Sequence, residues 1–318
     1  MSGYLYRRIA ETVLLLLLMS FLIYGLIGLM PGDPIDLMIS ADPNLSAADA
    51  ARLKALYGLD RPLYERYAAW LLNALSGDFG YSRLYARPVL EVIGPRLVNT
   101  LLLMGTSLVL ALLIAIPAGI LAAMYPRGIV DGTINLLAFA GFSVPSFWLG
   151  LILIIVFAVQ LGWLPAGGTA PIGESDLLDR LRYLILPVST LTLLAAGTFV
   201  RFVRAAMLEA LREDFIRTAR VKGLSRTAVV VRHALPHAML SLVTIVALNV
   251  GNLFSGSLVV ETIFAYLGMG KLIYDSIMGN DYNLALAALL IATFVTLVAN
   301  LVADIAYGSL DPRIDHGG

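Results

Sequence analysis

The chain has 318 residues, of which 59% are hydrophobic and 14% charged, and its 22 basic and 22 acidic side chains give a formal net charge of zero. That is too apolar for a soluble globular domain, where apolar usage nearer half is normal, and the balanced charge argues against a nucleic-acid binder. Cysteine is absent, which excludes disulfides and thiolate metal sites.

Arg7 and Arg8 precede an apolar run from Ile9 to Met30, interrupted only by Glu11 and Thr12. A signal peptide's apolar core is about 7–15 residues, whereas a bilayer needs about 20. The run therefore reads as an uncleaved first helix with its N-terminus inside. Pro31, Gly32, Asp33 and Pro34 stop it where water begins on the far side, with Asp33 read as a turn former.

Residues 31–98 form the longest polar stretch and are expected outside as an extracytoplasmic domain. Their arginines and lysine do not contradict this, since loops beyond about 60 residues largely escape the positive-inside count. Leu45 to Tyr57 and Pro62 to Leu75 look amphipathic. Trp70 and Phe79 fit either a docking face or the membrane surface.

Five further spans are expected: Asn99 to Met124, Val130 to Leu161, Leu184 to Phe202, Ala238 to Val260 and Leu284 to Tyr307. The second of these is longer than a bilayer requires and is broken by Gly141, Ser143, Pro145 and Ser146. Such small and kinking residues suit either close helix packing or a hinge lining a passage. Asn249, Asn252, Ser255 and Ser257 recur at helical spacing in the Ala238 run and fit either a hydrated passage or interhelical hydrogen bonds. Residues 308–318 are expected as a tail on the inner side.

Between the fourth and fifth spans the chain turns wet, with Arg201, Arg204, Arg212, Arg217, Arg220, Lys222, Arg226 and Arg232. One Arg at a bilayer centre costs about 2.5–3.5 kcal/mol, so the cluster marks an aqueous loop, placed at 205–236. Glu209, Glu213 and Asp214 come before the bases Arg217, Arg220 and Lys222, the order a helix dipole prefers. Gly223 suits a left-handed C-cap, Ser225 can cap a second helix, and Pro236 ends the loop. Two short helices joined by a Gly turn are expected, with Phe215, Ala219 and Leu224 as an apolar contact patch. A loop that only sets topology fits the same composition.

In this loop Thr218 and Ala219 are followed after three residues by Gly223 and, nine residues later, by His233, Ala234, Leu235 and Pro236. The order resembles the cytoplasmic "EAA" loop of ABC importer permeases. Arg217 stands where the general pattern opens with Glu, which resembles the peptide, opine and nickel branch. Other stretches are similar to that branch: "YGLDRPLYERYAAWL" (57–71), "SGDFGYS" (76–82), "RPVLEVIGPRLVNTL" (87–101), "SVPSFWLG" through "LGWLP" (143–165), "GSLVVETIF" (256–264) and "LDPRI" (310–314). Ala265, Tyr266 and Leu267 depart from the family's Trp-Pro-Gly-like turn.

The resemblance implies an all-α integral membrane protein with six transmembrane helices and the type I ABC importer permease fold, in a bacterial inner membrane with both termini cytoplasmic. It implies a homologous second permease, two ATPase subunits and an extracytoplasmic solute-binding protein as partners. Arg217, Thr218, Ala219, Arg220, Lys222, Gly223, Leu224 and Pro236 would then couple to the ATPase. Ser143, Pro145, Asn249, Asn252 and Ser255 are candidates to line the passage.

No site for chemistry stands out. His233 and His237 are four apart, but no Glu lies between them and no third ligand is near, so a surface or interface pair is the simpler reading. "GMGK" at 268–271 lacks both the leading Gly and the following Ser or Thr of a P-loop. The chain is therefore expected to hold no nucleotide, cofactor or metal and to be no enzyme. Glu11, Glu261 and Asp304 all sit near span ends, which disfavours an ion-coupled carrier. A passive channel leaves the folded basic loop unexplained.

Overall fold

In lipid every backbone N–H and C=O must be satisfied within the protein, and a helix does this inside one segment. The computed structural model, which describes residues 2–29, 52, 61–171 and 176–310, is helical along each of the six apolar runs. Helix α1 covers Ser2–Ile27 and α2 Leu63–Leu75, after which β1 (Tyr81–Ser82) pairs antiparallel with β2 (Arg87–Pro88). Next come α3 (Val89–Met124), α4 (Ile129–Ser143) and α5 (Ser146–Leu153), the last continued by a π-helical stretch over Ile154–Gln160. Helix α6 (Leu177–Ala210) leads to the short α7 (Asp214–Val221) and α8 (Arg226–Val229), and a second π-helical stretch covers Val230–Ala234. The chain ends with α9 (Leu235–Ile263), α10 (Met269–Met278) and α11 (Tyr282–Leu310). The expected helix over Leu45 to Tyr57 and the tail beyond Leu310 lie outside the described residues.

Among the described residues, α1, α3, α6 and α11 are each long and apolar enough to cross a membrane, and α4 with α5 makes a fifth candidate pass bent by 100°. Neither α4 nor α5 with its extension spans alone, since 15 residues reach only about 22 Å against a hydrocarbon thickness of about 30 Å. The bend falls at the expected break. Val144 is extended (φ −81°, ψ 127°) and Pro145 precedes the first turn of α5, where its missing N–H is no loss. Helix α9, with 29 residues, takes the place of the expected fifth span.

The helices run past the apolar segments that predict them. Helix α3 begins at Val89, ten residues before the expected Asn99, so the boundary between 98 and 99 falls inside a helix. The extension pays its way in packing: Val89, Val92 and Ile93 are buried against Met269, Leu272 and Leu284 of α10 and α11. Helix α6 likewise begins at Leu177 and continues to Ala210, which places Arg201 and Arg204 on its extension toward the basic loop. Phe199, Val200, Val203, Met207 and Ala210 keep one apolar face buried to its end.

Lipid tails are as apolar as leucine, so helix association in a membrane depends on close packing of small residues. Ala111, Ala115, Gly119 and Ala123 form such a stripe at four-residue spacing on α3, buried against α6. A Cβ on Gly119 would come within 2.6 Å of the Val203 side chain. Gly197 of α6 approaches α4 so closely that a Cβ there would lie 2.5 Å from the Ala138 carbonyl oxygen.

What is described of residues 31–98 packs on the long helices. Tyr67 of α2 shares a 2.7 Å hydrogen bond with Ser20 of α1 and meets Phe21 edge-on at 5.1 Å, while Trp70 lies 5.6 Å from Tyr24. Phe79 packs on the core formed by α3, α10 and α11. Both aromatics left open in the sequence thus contact the bundle. Ser82 donates a 2.6 Å hydrogen bond to Asp281, fastening the hairpin to the start of α11.

Candidate functional site

The basic loop is folded, as two short helices with a packed inner face. Helix α7 is strongly amphipathic: Ile216 (0% exposed) and Ala219 (4%) enter the core beside Met207, Ala210, Val229 and Ala234. Arg217, Thr218, Arg220 and Lys222 face outward, and Val221 is 88% exposed. The Arg217–Asp214 contact (3.8 Å) is between exposed groups and contributes little.

The turn after α7 closes as a Schellman motif, with Leu224 N–H donating to Ala219 O (3.3 Å) and Gly223 N–H to Arg220 O (3.0 Å). Gly223 has φ +77°, as the motif requires, and nothing lies within 4 Å of the Cβ it lacks. The need for glycine is therefore one of backbone conformation alone. Ser225 accepts the Ala228 N–H (3.3 Å) and caps α8 as its position predicts. Pro236 lies near the start of α9, directly after the π-helical stretch Val230–Ala234, where the hydrogen-bond ladder shifts.

The expected apolar patch is redrawn. Ala219 turns inward, because the same helical face must carry Ile216 to the core. Phe215 and Leu224 stay partly exposed, and Phe215 meets His237 edge-on at 5.4 Å. His237 is thus engaged with an aromatic ring.

Two connections tie this loop to the spans. Arg226 donates to the Met124 carbonyl and stacks over Tyr125 at 4.8 Å, joining α8 to the end of α3. Arg204 binds Asp131 through Nε and Nη2 at 2.6 and 2.7 Å. Asp131 also accepts the Arg127 amide (2.8 Å) and the Asn135 side chain (2.6 Å), and its own side chain is 6% exposed. One carboxylate therefore holds the α3–α4 turn, the first turn of α4 and the loop-side end of α6. Asp131 went unread in the sequence, although an acid one residue into an expected span needs a partner.

The passage candidates are partly brought together. Asn249 lines a cavity of about 340 Å³ with Phe142, Leu191, Leu194, Thr198 and Phe199. Phe142 adjoins Ser143 and Pro145 at the bend, and both are exposed in the single chain. The side chains of Asn252 and Ser255 lie outside the described residues, and Ser257 is buried, donating to Phe254 O.

On the opposite end the "GMGK" segment opens α10, and its amides serve the chain's own carboxylate. Glu261 Oε2 accepts the Gly270 and Lys271 N–H groups (2.6 and 3.2 Å), while Oε1 accepts the Thr100 hydroxyl (2.6 Å). Thr100 in turn accepts the Met269 N–H (2.8 Å). The carboxylate lies so close that a Cβ on Gly268 would meet it at 2.4–2.5 Å. Ala265, where the family-like turn is altered, adopts a left-handed φ of +46° and turns Tyr266 into the core. Burial, with the Glu261 charge second, pushes the Tyr266 phenol up to about 12.

Glu261→Ala should destabilise the chain by about 2–4 kcal/mol, because it strands several buried donors at about 1–3 kcal/mol each. Glu261→Gln should cost under half as much, since its oxygen still takes the amides and its NH₂ donates to Thr100. Thermal unfolding of the purified variants distinguishes the two; equal losses would contradict the network.

The family model described as "Binding-protein-dependent transport system inner membrane component" matches residues 115–316, and that of the N-terminal part of such components matches 1–104. The chain is 42% identical to the oligopeptide transport system permease protein AppB of Bacillus subtilis, over 99% of this chain and 100% of the relative. It is 38% identical to the glutathione transport system permease protein GsiC of Escherichia coli, over 99% of each. Among solved structures, a chain of the inward-facing MetNI methionine ABC transporter superposes with a TM-score of 0.58 at 19% identity, covering 70% of this chain and 97% of that one.

Proposed function

The chain belongs to the family of binding-protein-dependent transport system inner membrane components, and from that premise we propose that it forms one half of a peptide-conducting passage, paired with a homologous permease. It is the multi-pass inner-membrane permease subunit of an ABC importer. It is not an enzyme; ATP hydrolysis resides on separate subunits, and a substrate-binding protein delivers the cargo. The fold is that of type I importer permeases.

The observation that carries the rest of the proposal is α7, which is anchored by Ile216 and Ala219 and presents Arg217, Thr218, Val221 and Lys222 outward, with the exposed Arg220 at the edge of the cavity beside it. In our reading this face, closed by Gly223 and Leu224, seats in a groove on one of two ATPase subunits. Pro236 begins the helix that carries the motion into the membrane. Both termini and this loop are cytoplasmic, residues 31–98 face outward, and residues 99–307 form the moving core. ATP-driven closure would shift α7 and, through Asp131 and Arg204, swing the bent α4–α5 pass against α6 between two packings. Peptide cargo is proposed from the likeness to AppB and GsiC, named for oligopeptide and glutathione transport.

The test is uptake of labelled oligopeptide by the importer reconstituted with its ATPases and binding protein. ATP-dependent accumulation that unlabelled peptides compete away is expected. Conductance through this chain alone, or accumulation driven by a proton gradient without ATP, would contradict the proposal.

A further inference from the structure

Beside the loop lies a half-open cavity of about 970 Å³ between the loop-side ends of α3 and α6 and the segments α7 and α8. Arg127, Arg204, Arg212, Arg220 and Arg226 line it, and no carboxylate does. Asp131 neutralises Arg204, and Arg226 is held by Met124 and Tyr125. Among the described residues, Arg127, Arg212 and Arg220 have no ion pair. Glu209, Glu213 and Asp214 line an adjoining cavity that shares Arg204, Leu208 and Arg212 with this one, which leaves Arg127 and Arg220, with the engaged Arg226, as the arginines away from that carboxylate lining.

Guanidinium groups present planar forks of donors that match phosphate oxygens, and several around one space suit an anion. The remaining wall is apolar, including Leu208, Val229 and Val230. A site at the end of apolar helices, cationic on one side and greasy on the other, matches a headgroup joined to acyl chains. Basic pockets between helices at the cytoplasmic face bind anionic headgroups in this way.

We propose that this cavity binds a phosphate-bearing anion, which in the membrane is the phosphodiester of an anionic phospholipid. The bound lipid would brace the loop against the spans and screen the arginines from one another.

The test measures lipid retained on the purified full-length chain by native mass spectrometry, after exchange from phosphatidylcholine nanodiscs with or without phosphatidylglycerol. Wild type should keep phosphatidylglycerol and lose phosphatidylcholine. At roughly 1 kcal/mol per basic residue, the R212Q/R220Q pair should reduce retention about tenfold or more. R212K/R220K should keep most of it, and R201Q/R232Q, which removes equal charge outside the cavity, should match wild type. A parallel thermal-unfolding titration with inorganic phosphate separates the sources: stabilisation that R212Q/R220Q abolishes, without lipid retention, assigns the site to free phosphate. Undiminished retention in R212Q/R220Q, an equal loss in R201Q/R232Q, or no response to either anion would overturn the proposal. Because retention is read without ATPases, its failure leaves the docking proposal untouched.

Discussion

Asp131→Ala is expected to destabilise the purified chain by about 3 kcal/mol, the lower end of the ~3–5 kcal/mol seen when one partner of a buried pair is removed. The lower end applies because the Arg204 side chain is 26% exposed and can turn partly toward water. The loss also strands the Arg127 amide and the Asn135 side chain. Arg204→Met in the same background should recover a good part of that stability, since it removes the orphaned guanidinium. A double-mutant cycle by thermal unfolding reads the coupling directly. Additive losses would mean that the pair does not bridge α4 and α6. Uptake should fall further than stability predicts, because the bridge ties the bent pass to the helix entering the loop.

Gly223→Val should uncouple ATP hydrolysis from uptake in the reconstituted importer while leaving the chain folded. With open space around the missing Cβ, the penalty is that of the left-handed backbone, about 1–2 kcal/mol for an ordinary residue and more for a β-branched one. A chain that relieves this strain opens the Schellman turn and turns α7 off its seat, so uptake should drop roughly tenfold or more. Gly223→Asn should stay near wild type, because Asn tolerates this conformation, and Gly223→Ala should fall between. Equal uptake by the Asn and Val variants would remove the turn from the mechanism.

The features legible in the sequence are those set by local demands. Gly223 and Ser225 announced a turn and a cap because each satisfies a requirement of its own few residues, and Pro145 marked the bend for the same reason. Contacts made across distance were not legible. Arg204 reads as one more charge in a wet loop until α6 is seen to continue past it and meet Asp131, 73 residues earlier. Ala219 was expected outward because its neighbours are charged, whereas helical phase puts it beside Ile216. The starts of α3 at Val89 and of α6 at Leu177 were not legible, because polarity changes at the edge of the lipid, while helices continue wherever a face still has something to pack against. The Ala111, Ala115, Gly119, Ala123 stripe was present as a four-residue repeat and passed unread among so many apolar residues.

In the proposed importer the outward face of α7 is held by an ATPase on the cytoplasmic side. The chain has no native cysteine, so each introduced thiol is unique. In the assembled, transport-competent complex, thiols at Thr218 and Val221 should crosslink to the ATPase, while one at the buried Ala219 should not. Absence of crosslinks from both exposed positions, or their labelling by a membrane-impermeant reagent outside intact cells, would contradict the account.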